Sequence, residues 1–122
     1  VLIGIGLDDN KQDVEWLANK VLNLRVFNDS EGVMNKSVLD INGELLLISQ
    51  FTLLALTKKG NRPSYIKSAN HQIAIPLYEY FIKTCKDQID DKVKTGTFGA
   101  DMKVSLINDG PVTIIIDSKN KE

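Results

Sequence analysis

Two stretches of the chain repeat their apolar residues at the spacing of an amphipathic helix. The first begins after Asn10, a residue type that favours the helix N-cap, with Asp13 at the third helical position, and extends to about Leu24. The second covers about residues 70 to 89, and because Pro76 falls in its first turns we expect the regular helix to begin there. Each stripe predicts one buried helix face. The stripes are Val14, Leu17, Val21 and Leu24 in the first helix and Ala74, Leu77, Phe81, Ile82, Cys85 and Ile89 in the second.

The other apolar residues form short runs or alternate with polar ones, as in β-strands. The longest run, Glu44 to Thr52, follows Asn42-Gly43, a sequence typical of a tight β-hairpin. Strands joined by such a hairpin are antiparallel. We therefore predict one α+β domain over residues 1–122, with two helices and a mostly antiparallel or barrel-like sheet. The predicted strands cover residues 1–7, 24–27, 37–40, 44–52, 93–95, 102–107 and 112–117.

Composition excludes several classes of protein. With 43% hydrophobic and 25% charged residues, the 122-residue chain has the profile of a globular domain. No apolar run reaches the ~18 residues of a membrane-spanning helix. The single cysteine, Cys85, cannot form an internal disulfide, so we expect a reducing compartment, the cytoplasm, and a buried position on the second helix. With one histidine and one cysteine, a zinc site would need mostly carboxylate ligands, so no metal is expected.

Charge is distributed unevenly along the chain. The formal net charge is −1, yet the stretch between Glu44 and Glu79 has no acidic residue and carries +4, which leaves −5 for the rest. A local basic loop in an acidic protein is typical of contact with phosphate groups at one place. A solvated surface loop explains the same charges equally simply. The basic residues are Lys58, Lys59, Arg62 and Lys67.

Two polar segments follow predicted strands, and each has two interpretations. Residues 49–53, Ser-Gln-Phe-Thr-Leu, either present backbone N–H groups to a ligand or form a cross-strand polar network. Residues 108–113, Asn-Asp-Gly-Pro-Val-Thr, either form a simple hairpin turn or hold a cis Gly-Pro bond. No pair of carboxylates stands out as an acid–base couple. For His71 we expect a surface or capping role, because no serine or cysteine partner is evident in the sequence.

Taken together, these segments resemble the D-aminoacyl-tRNA deacylase family. The resemblance covers essentially the whole chain, with four motifs in the order and at the spacing of the family. The family's further N-terminal strand segment has no counterpart before Val1, and we expect such a segment to be missing here. The motifs are Ser49-Gln50-Phe51-Thr52-Leu53, Lys58-Lys59-Gly60-Asn61-Arg62-Pro63, Thr95-Gly96-Thr97-Phe98-Gly99-Ala100-Asp101-Met102 and Asn108-Asp109-Gly110-Pro111-Val112-Thr113.

The resemblance implies a homodimeric hydrolase that needs no cofactor. It would cleave the ester between a D-amino acid and the terminal ribose of tRNA, and would reject L-aminoacyl-tRNA. In the family the Gly-Pro pair, here Gly110 and Pro111, is cis and enters the pocket of the partner subunit. There it would fix the α-ammonium of the substrate, so that an L side chain meets the protein wall. Glycyl-tRNA, which has no side chain to reject, would be a further substrate.

The resemblance also assigns roles to residues at the reacting ester. Ser49 would lie in the substrate pocket, and the backbone N–H groups of Gln50 and Phe51 would stabilise the oxyanion. Thr52 offers a hydroxyl for covalent catalysis, but we favour attack by water assisted by the 2′-hydroxyl of the tRNA, because no side-chain base is apparent near it. Lys58, Lys59 and Arg62 would contact the acceptor end of the tRNA. Phe98 would line the adenine pocket or belong to the core.

Two other functions compete with this interpretation. One is an editing domain of the same fold that removes an L-amino acid; it is disfavoured because the chain has both the Ser-Gln-Phe-Thr and the Gly-Pro motifs. The other is a non-enzymatic nucleic-acid-binding module. The basic loop alone would satisfy that function, but it leaves both motifs unexplained.

Overall fold

The chain forms two α-helices, five short strands and two 3₁₀ helices, and a computed structural model describes all of residues 1–122. Neither α-helix is long and apolar enough to cross a membrane. In chain order the elements are β1 (Leu2–Ile3), α1 (Lys11–Asn23), β2 (Phe27–Asn28), β3 (Met34–Lys36), β4 (Leu45–Ser49), a 3₁₀ helix (Phe51–Leu54), α2 (His71–Ile89), a second 3₁₀ helix (Asp90–Lys92) and β5 (Val93–Thr95).

The central sheet is parallel. Strand β4 lies between β1 and β5, with Ile3 opposite Ser49 and Leu45 opposite Val93. Helix α1 lies between β1 and β4 in the chain, and α2 between β4 and β5; crossovers that contain a helix return the chain in the same direction. The prediction of a mostly antiparallel or barrel-like sheet is therefore wrong, whereas the prediction of an α+β chain with two helices is confirmed.

The hairpin forms at a different place from the one predicted. Strands β2 and β3 pair antiparallel around the turn that begins at Asp29, whose N–H donates to the Val33 carbonyl at 2.8 Å. Asn42 does adopt the left-handed conformation expected of a tight turn, with φ of 55°. However, the Gly43 N–H donates to the Val38 carbonyl at 2.9 Å, so the predicted strand 37–40 is part of a compact turn.

The last two predicted strands, 102–107 and 112–117, do not form. Neither segment pairs with the sheet, and both leave large apolar side chains in water. Leu106 is 70% exposed, Ile107 92% and Ile115 94%. Apolar alternation favours an extended backbone, but a strand also needs a neighbour with free N–H and C=O groups.

Helix boundaries follow the capping residues. In α1, Asn10 and Asp13 form the predicted capping box: the Asn10 side chain accepts from the Gln12 and Asp13 N–H groups, and Asp13 accepts from the Asn10 N–H. Helix α2 covers His71–Ile89, which confirms the predicted span of about 70 to 89, and the Asn70 side chain caps it; its regular part begins before Pro76 and not at it. The proline lies inside the helix, where its ring removes the hydrogen bond to the carbonyl four residues earlier.

The hydrophobic core lies between the two helices and the sheet. Helix α2 is joined to the central strand by the buried Tyr78 hydroxyl, which donates to the Leu47 carbonyl at 2.7 Å. Cys85 is fully buried, as predicted, and burial raises the pKa of its thiol to about 11. The core residues are Ile3, Ile5, Val14, Ala18, Leu22, Val38, Leu45, Leu47, Ala74, Leu77, Tyr78, Phe81, Cys85 and Val93.

Candidate active site

A cavity of about 630 Å³ opens at the carboxyl edge of the parallel sheet. Because the strands are parallel, β1, β4 and β5 all end at this edge, and Ser49 is the last residue of β4. Phe98 follows the end of β5 and also lines the cavity. The carboxyl edge is where open parallel sheets commonly bind ligands. The structure thus brings four predicted site residues, Ser49, Gln50, Phe51 and Phe98, into one cavity lining.

The backbone after β4 turns sharply into the 3₁₀ helix Phe51–Leu54, with Gln50 as its N-cap. The Gln50 N–H donates to the Ile3 carbonyl at 2.7 Å and continues the pairing with β1. That N–H group is engaged within the protein, contrary to the role in oxyanion stabilisation expected for it. The first N–H groups of the 3₁₀ helix, those of Phe51 and Thr52, have no partner within the helix and donate to no loop carbonyl or side chain.

The Thr52 hydroxyl has no base beside it. Its Oγ1 accepts a hydrogen bond from the Gln50 side-chain amide, a group that has no lone pair to remove a proton. Thr52 is exposed and lies outside the cavity lining. The one carboxylate in the lining, Asp101, is paired with Lys103 at 2.7 Å, and both side chains are exposed.

Two residues that sequence reasoning missed hold Phe51. The Tyr65 ring meets the Phe51 ring edge to face, with 4.9 Å between centroids. The Ser68 hydroxyl donates to the Phe51 carbonyl at 3.1 Å. Both residues line the cavity. They follow the basic loop in sequence, and only the fold places them against residues that precede it.

Two ring-bearing side chains from α2 and the segment after β5, His71 and Phe98, also line the cavity. Phe98 packs against the core and also lines the cavity, so a core position and a pocket-lining position are not exclusive alternatives for it. Its ring contacts His71 and Tyr78, with centroid distances of 5.4 and 5.7 Å. His71 is exposed, as predicted, but as the first residue of α2 it also lines the cavity. No signal in the sequence indicates that His71 lines the cavity. No group of three or more His, Cys, Asp or Glu side chains is arranged to hold a metal ion.

The basic loop is a small hairpin beside the cavity. Leu56 and Ser64 close it with two backbone hydrogen bonds of 2.8 and 3.0 Å. Lys58, Lys59 and Arg62 extend from the hairpin tip, are exposed and form no salt bridge, so their charges are available to anions in solution. None of the three lines the cavity.

The Gly110–Pro111 pair lies elsewhere, on an exposed loop. The peptide bond between the two residues is cis, in agreement with the expectation from the resemblance. Gly110 has φ of 130°, and a Cβ there would lie 2.9 Å from Val112 Cγ2, so any other residue would be strained at this position. Neither residue lines the cavity of its own chain.

Comparison with known proteins gives the same family as the sequence motifs. A family model described as D-Tyr-tRNA(Tyr) deacylase matches residues 1–117. A D-aminoacyl-tRNA deacylase of Flavobacterium psychrophilum is 64% identical over all 122 residues, and the chain covers 81% of its length. The corresponding protein of Cytophaga hutchinsonii is 62% identical with the same coverage.

Two solved structures share the fold. One, named c-Myc DNA Unwinding Element Binding Protein, superposes with a TM-score of 0.87 at 41% identity, over 93% of this chain and 76% of its own. The other, from a structural analysis of a probable eukaryotic D-amino acid tRNA deacylase, gives 0.64 over 81% of this chain and 72% of its own; at 15% identity it supports the fold alone. The family match and the close relatives together show that the chain belongs to the D-Tyr-tRNA(Tyr) deacylase family.

Proposed function

We propose that this protein hydrolyses the ester of D-aminoacyl-tRNA, releases free tRNA and the D-amino acid, and leaves L-aminoacyl-tRNA intact. Glycyl-tRNA is a further substrate, since it offers no side chain to reject. The observation that carries the proposal is the cavity at the carboxyl edge of the sheet, which Ser49, Gln50 and Phe51 line together with Phe98. The family membership of the chain and the names of its close relatives support the same reaction.

The ester carbonyl binds against the start of the 3₁₀ helix. As the tetrahedral intermediate forms, negative charge collects on the carbonyl oxygen, and the unengaged Phe51 N–H stabilises it. One well-aimed donor contributes about 2.7–4 kcal/mol to catalysis. The Gln50 N–H takes no part, since it is bonded to Ile3. Ser68, through the Phe51 carbonyl, and Tyr65, through the Phe51 ring, hold this residue in place.

Water attacks the ester with help from the 2′-hydroxyl of the terminal ribose. The absence of a base beside Thr52, and the amide hydrogen bond that its hydroxyl receives, support this route over a covalent acyl-threonine. The variant Thr52→Ala should therefore keep most of the wild-type kcat. An acyl group trapped on Thr52, detected by mass spectrometry of the quenched enzyme, would contradict the route.

Chirality is enforced by a second copy of the chain. Gly110 and Pro111 are exposed and lie outside their own cavity, an arrangement that suits insertion into the cavity of a partner subunit. The exposed apolar side chains of the flanking segments, including Leu106, Ile107 and Ile115, supply apolar surface for such a homodimer. Lys58, Lys59 and Arg62 bind phosphates of the acceptor end, and the protein acts in the cytoplasm.

The experiment that tests this function compares D-Tyr-tRNA and L-Tyr-tRNA side by side in the presence of EDTA. Rapid loss of the D ester with the L ester untouched supports the reaction and its chirality filter. Loss of both esters would instead indicate an L-removing editing domain. Loss of neither would favour the binding module, since the structure that superposes with a TM-score of 0.87 is named as a DNA-binding protein.

A further inference from the structure

The loop that holds Gly110 and Pro111 is closed by one side chain. The flanking segments 102–107 and 112–117 form no ladder, so no backbone pairing sets the shape of the loop. Asn108 supplies the closure with both ends of its amide. Its Oδ1 accepts from the Val112 N–H at 2.8 Å, and its Nδ2 donates to the Thr113 hydroxyl at 3.0 Å.

These two hydrogen bonds span the Gly-Pro pair. Asp109, Gly110 and Pro111 lie between the two ends of the closure, and none of the three makes a hydrogen bond of its own within the chain. Glycine has the fewest restrictions on its backbone angles of all residue types, and the φ of 130° at Gly110 is one that other residues rarely adopt. Apart from those of the Asn108 amide, no hydrogen bond within the chain holds this backbone.

We propose that Asn108 is a positioning residue for chiral selection. The inference rests on the proposed function, in which Gly110 and Pro111 meet the substrate in the partner's cavity. Rejection of an L side chain requires a wall that does not yield, because a loop that shifts by about 1 Å opens space for it. The Asn108 amide fixes the loop before the substrate arrives, and a preorganised loop loses no free energy to ordering at that moment.

The proposal predicts an increased rate with the L substrate. In Asn108→Ala the ratio of kcat/KM for D-Tyr-tRNA over L-Tyr-tRNA should fall by about tenfold, the factor that corresponds to ~1.4 kcal/mol. Most of the fall should come from faster hydrolysis of the L ester. A residue that only stabilised the fold would slow hydrolysis of both esters together.

Isosteric variants separate the two hydrogen bonds. Thr113→Val removes only the hydroxyl that accepts from Nδ2 and should give part of the loss, whereas Asn108→Asp keeps the acceptor for Val112 and can accept from the Thr113 hydroxyl, so it should lose less than Asn108→Ala. Thr113→Ser keeps the hydroxyl and should restore the wild-type ratio. Asn120→Ala is the matched control, because that amide also bonds a nearby side chain, Glu122 at 2.9 Å, but lies in the tail. It should leave both rates unchanged.

The assay uses the full chain, with thermal unfolding and the oligomeric state measured for each variant. A folded Asn108→Ala with an unchanged D/L ratio would overturn the proposal, as would equal loss of both rates. If Asn108→Ala does not fold, Thr113→Val decides by the same criterion. A wild-type protein that hydrolyses neither ester would contradict the proposed function itself, and with it this inference.

Discussion

Replacing Gly96 by alanine tests whether the cavity wall is packed as tightly as the structure indicates. The φ of Gly96 lies outside the left-handed region, so alanine is compatible with the backbone and the effect is purely steric. A Cβ at this position would overlap Met102 Sδ and would lie 2.9 Å from Ile48 Cδ1. Ordinary contacts of this kind are 3.4–4 Å, so Ile48 must retreat by at least about 0.5 Å.

The expected loss follows from how easily the two neighbours can move. Overpacking of a well-packed interior costs about 1–3 kcal/mol. Met102 is flexible and can swing aside, whereas Ile48 is only 5% exposed and has little room. We therefore expect Gly96→Ala to lower the free energy of unfolding by roughly 1–2 kcal/mol, which for a chain of this length lowers the Tm by roughly 4–8 °C. Because both neighbours line the cavity, KM for D-aminoacyl-tRNA should rise as well.

A matched control and a rescue variant make the test sharp. At Gly6 a Cβ would meet Asp9 Oδ2 and the Lys67 carbonyl at an ordinary 3.6 Å, so Gly6→Ala should change stability by no more than ~0.5 kcal/mol. Adding Met102→Ala to Gly96→Ala should recover part of the loss, a non-additive result in a double-mutant cycle. Equal Tm values for the two glycine variants, or strict additivity in the cycle, would refute the packing argument.

Two further predictions concern hydrogen bonds. Tyr78→Phe removes the buried donor to the Leu47 carbonyl, so the free energy of unfolding in urea should fall by about 0.5–1.5 kcal/mol with an unchanged m-value; a shift in the m-value instead would contradict the assignment. Burial raises the pKa of Asp13, but hydrogen bonds from Lys119 at 2.7 Å and from the Asn10 N–H outweigh it and hold that pKa below its ordinary 3.8. A lowered carboxyl pKa contributes stability that is present above the ordinary value and is lost as pH falls through the folded value. Lys119→Met should therefore flatten the acidic limb of Tm against pH, and an unchanged slope would show that the ion pair contributes nothing.

Helices could be predicted from the sequence because their signals are local. The cap of α1 needs only Asn10 and Asp13, three residues apart, and the apolar stripe of α2 is read within a single segment. The span of α2 was predicted, but its regular part was expected to begin only at Pro76, because proline is a strong local signal for a first turn. The Asn70 cap prevailed, since it satisfies an N–H group one turn earlier.

Strand direction could not be predicted in the same way. The apolar run in 44–52 correctly indicates a strand, but it carries no information about the neighbours of that strand. The partners of β4 lie more than 40 residues away on either side, at β1 and β5. The Asn42-Gly43 signal favoured an antiparallel neighbour, and tertiary packing overrode it.

The candidate site was predictable in part. Ser49, Gln50, Phe51 and Phe98 come from motifs far apart in sequence, and the fold brings them to one cavity. The engagement of the Gln50 N–H by Ile3 could not be foreseen, because it depends on the parallel pairing with β1. Tyr65, Ser68 and His71 were not predicted as site residues, because only the folded chain brings them to the cavity.

The strand order β1-β4-β5 also determines which parts of the fold can form first. Strand β4 pairs with β1 on one side and with β5 on the other, and both lie far from it in sequence. Two long loops must therefore close, at a cost in chain entropy, before strand pairing stabilises the sheet. During synthesis, β5 and Phe98 follow β4 by more than 40 residues, so the sheet cannot be complete when β4 is made. Helix α1 and β4 can form earlier, but the cavity at the carboxyl edge cannot form before β5 and Phe98 have been made.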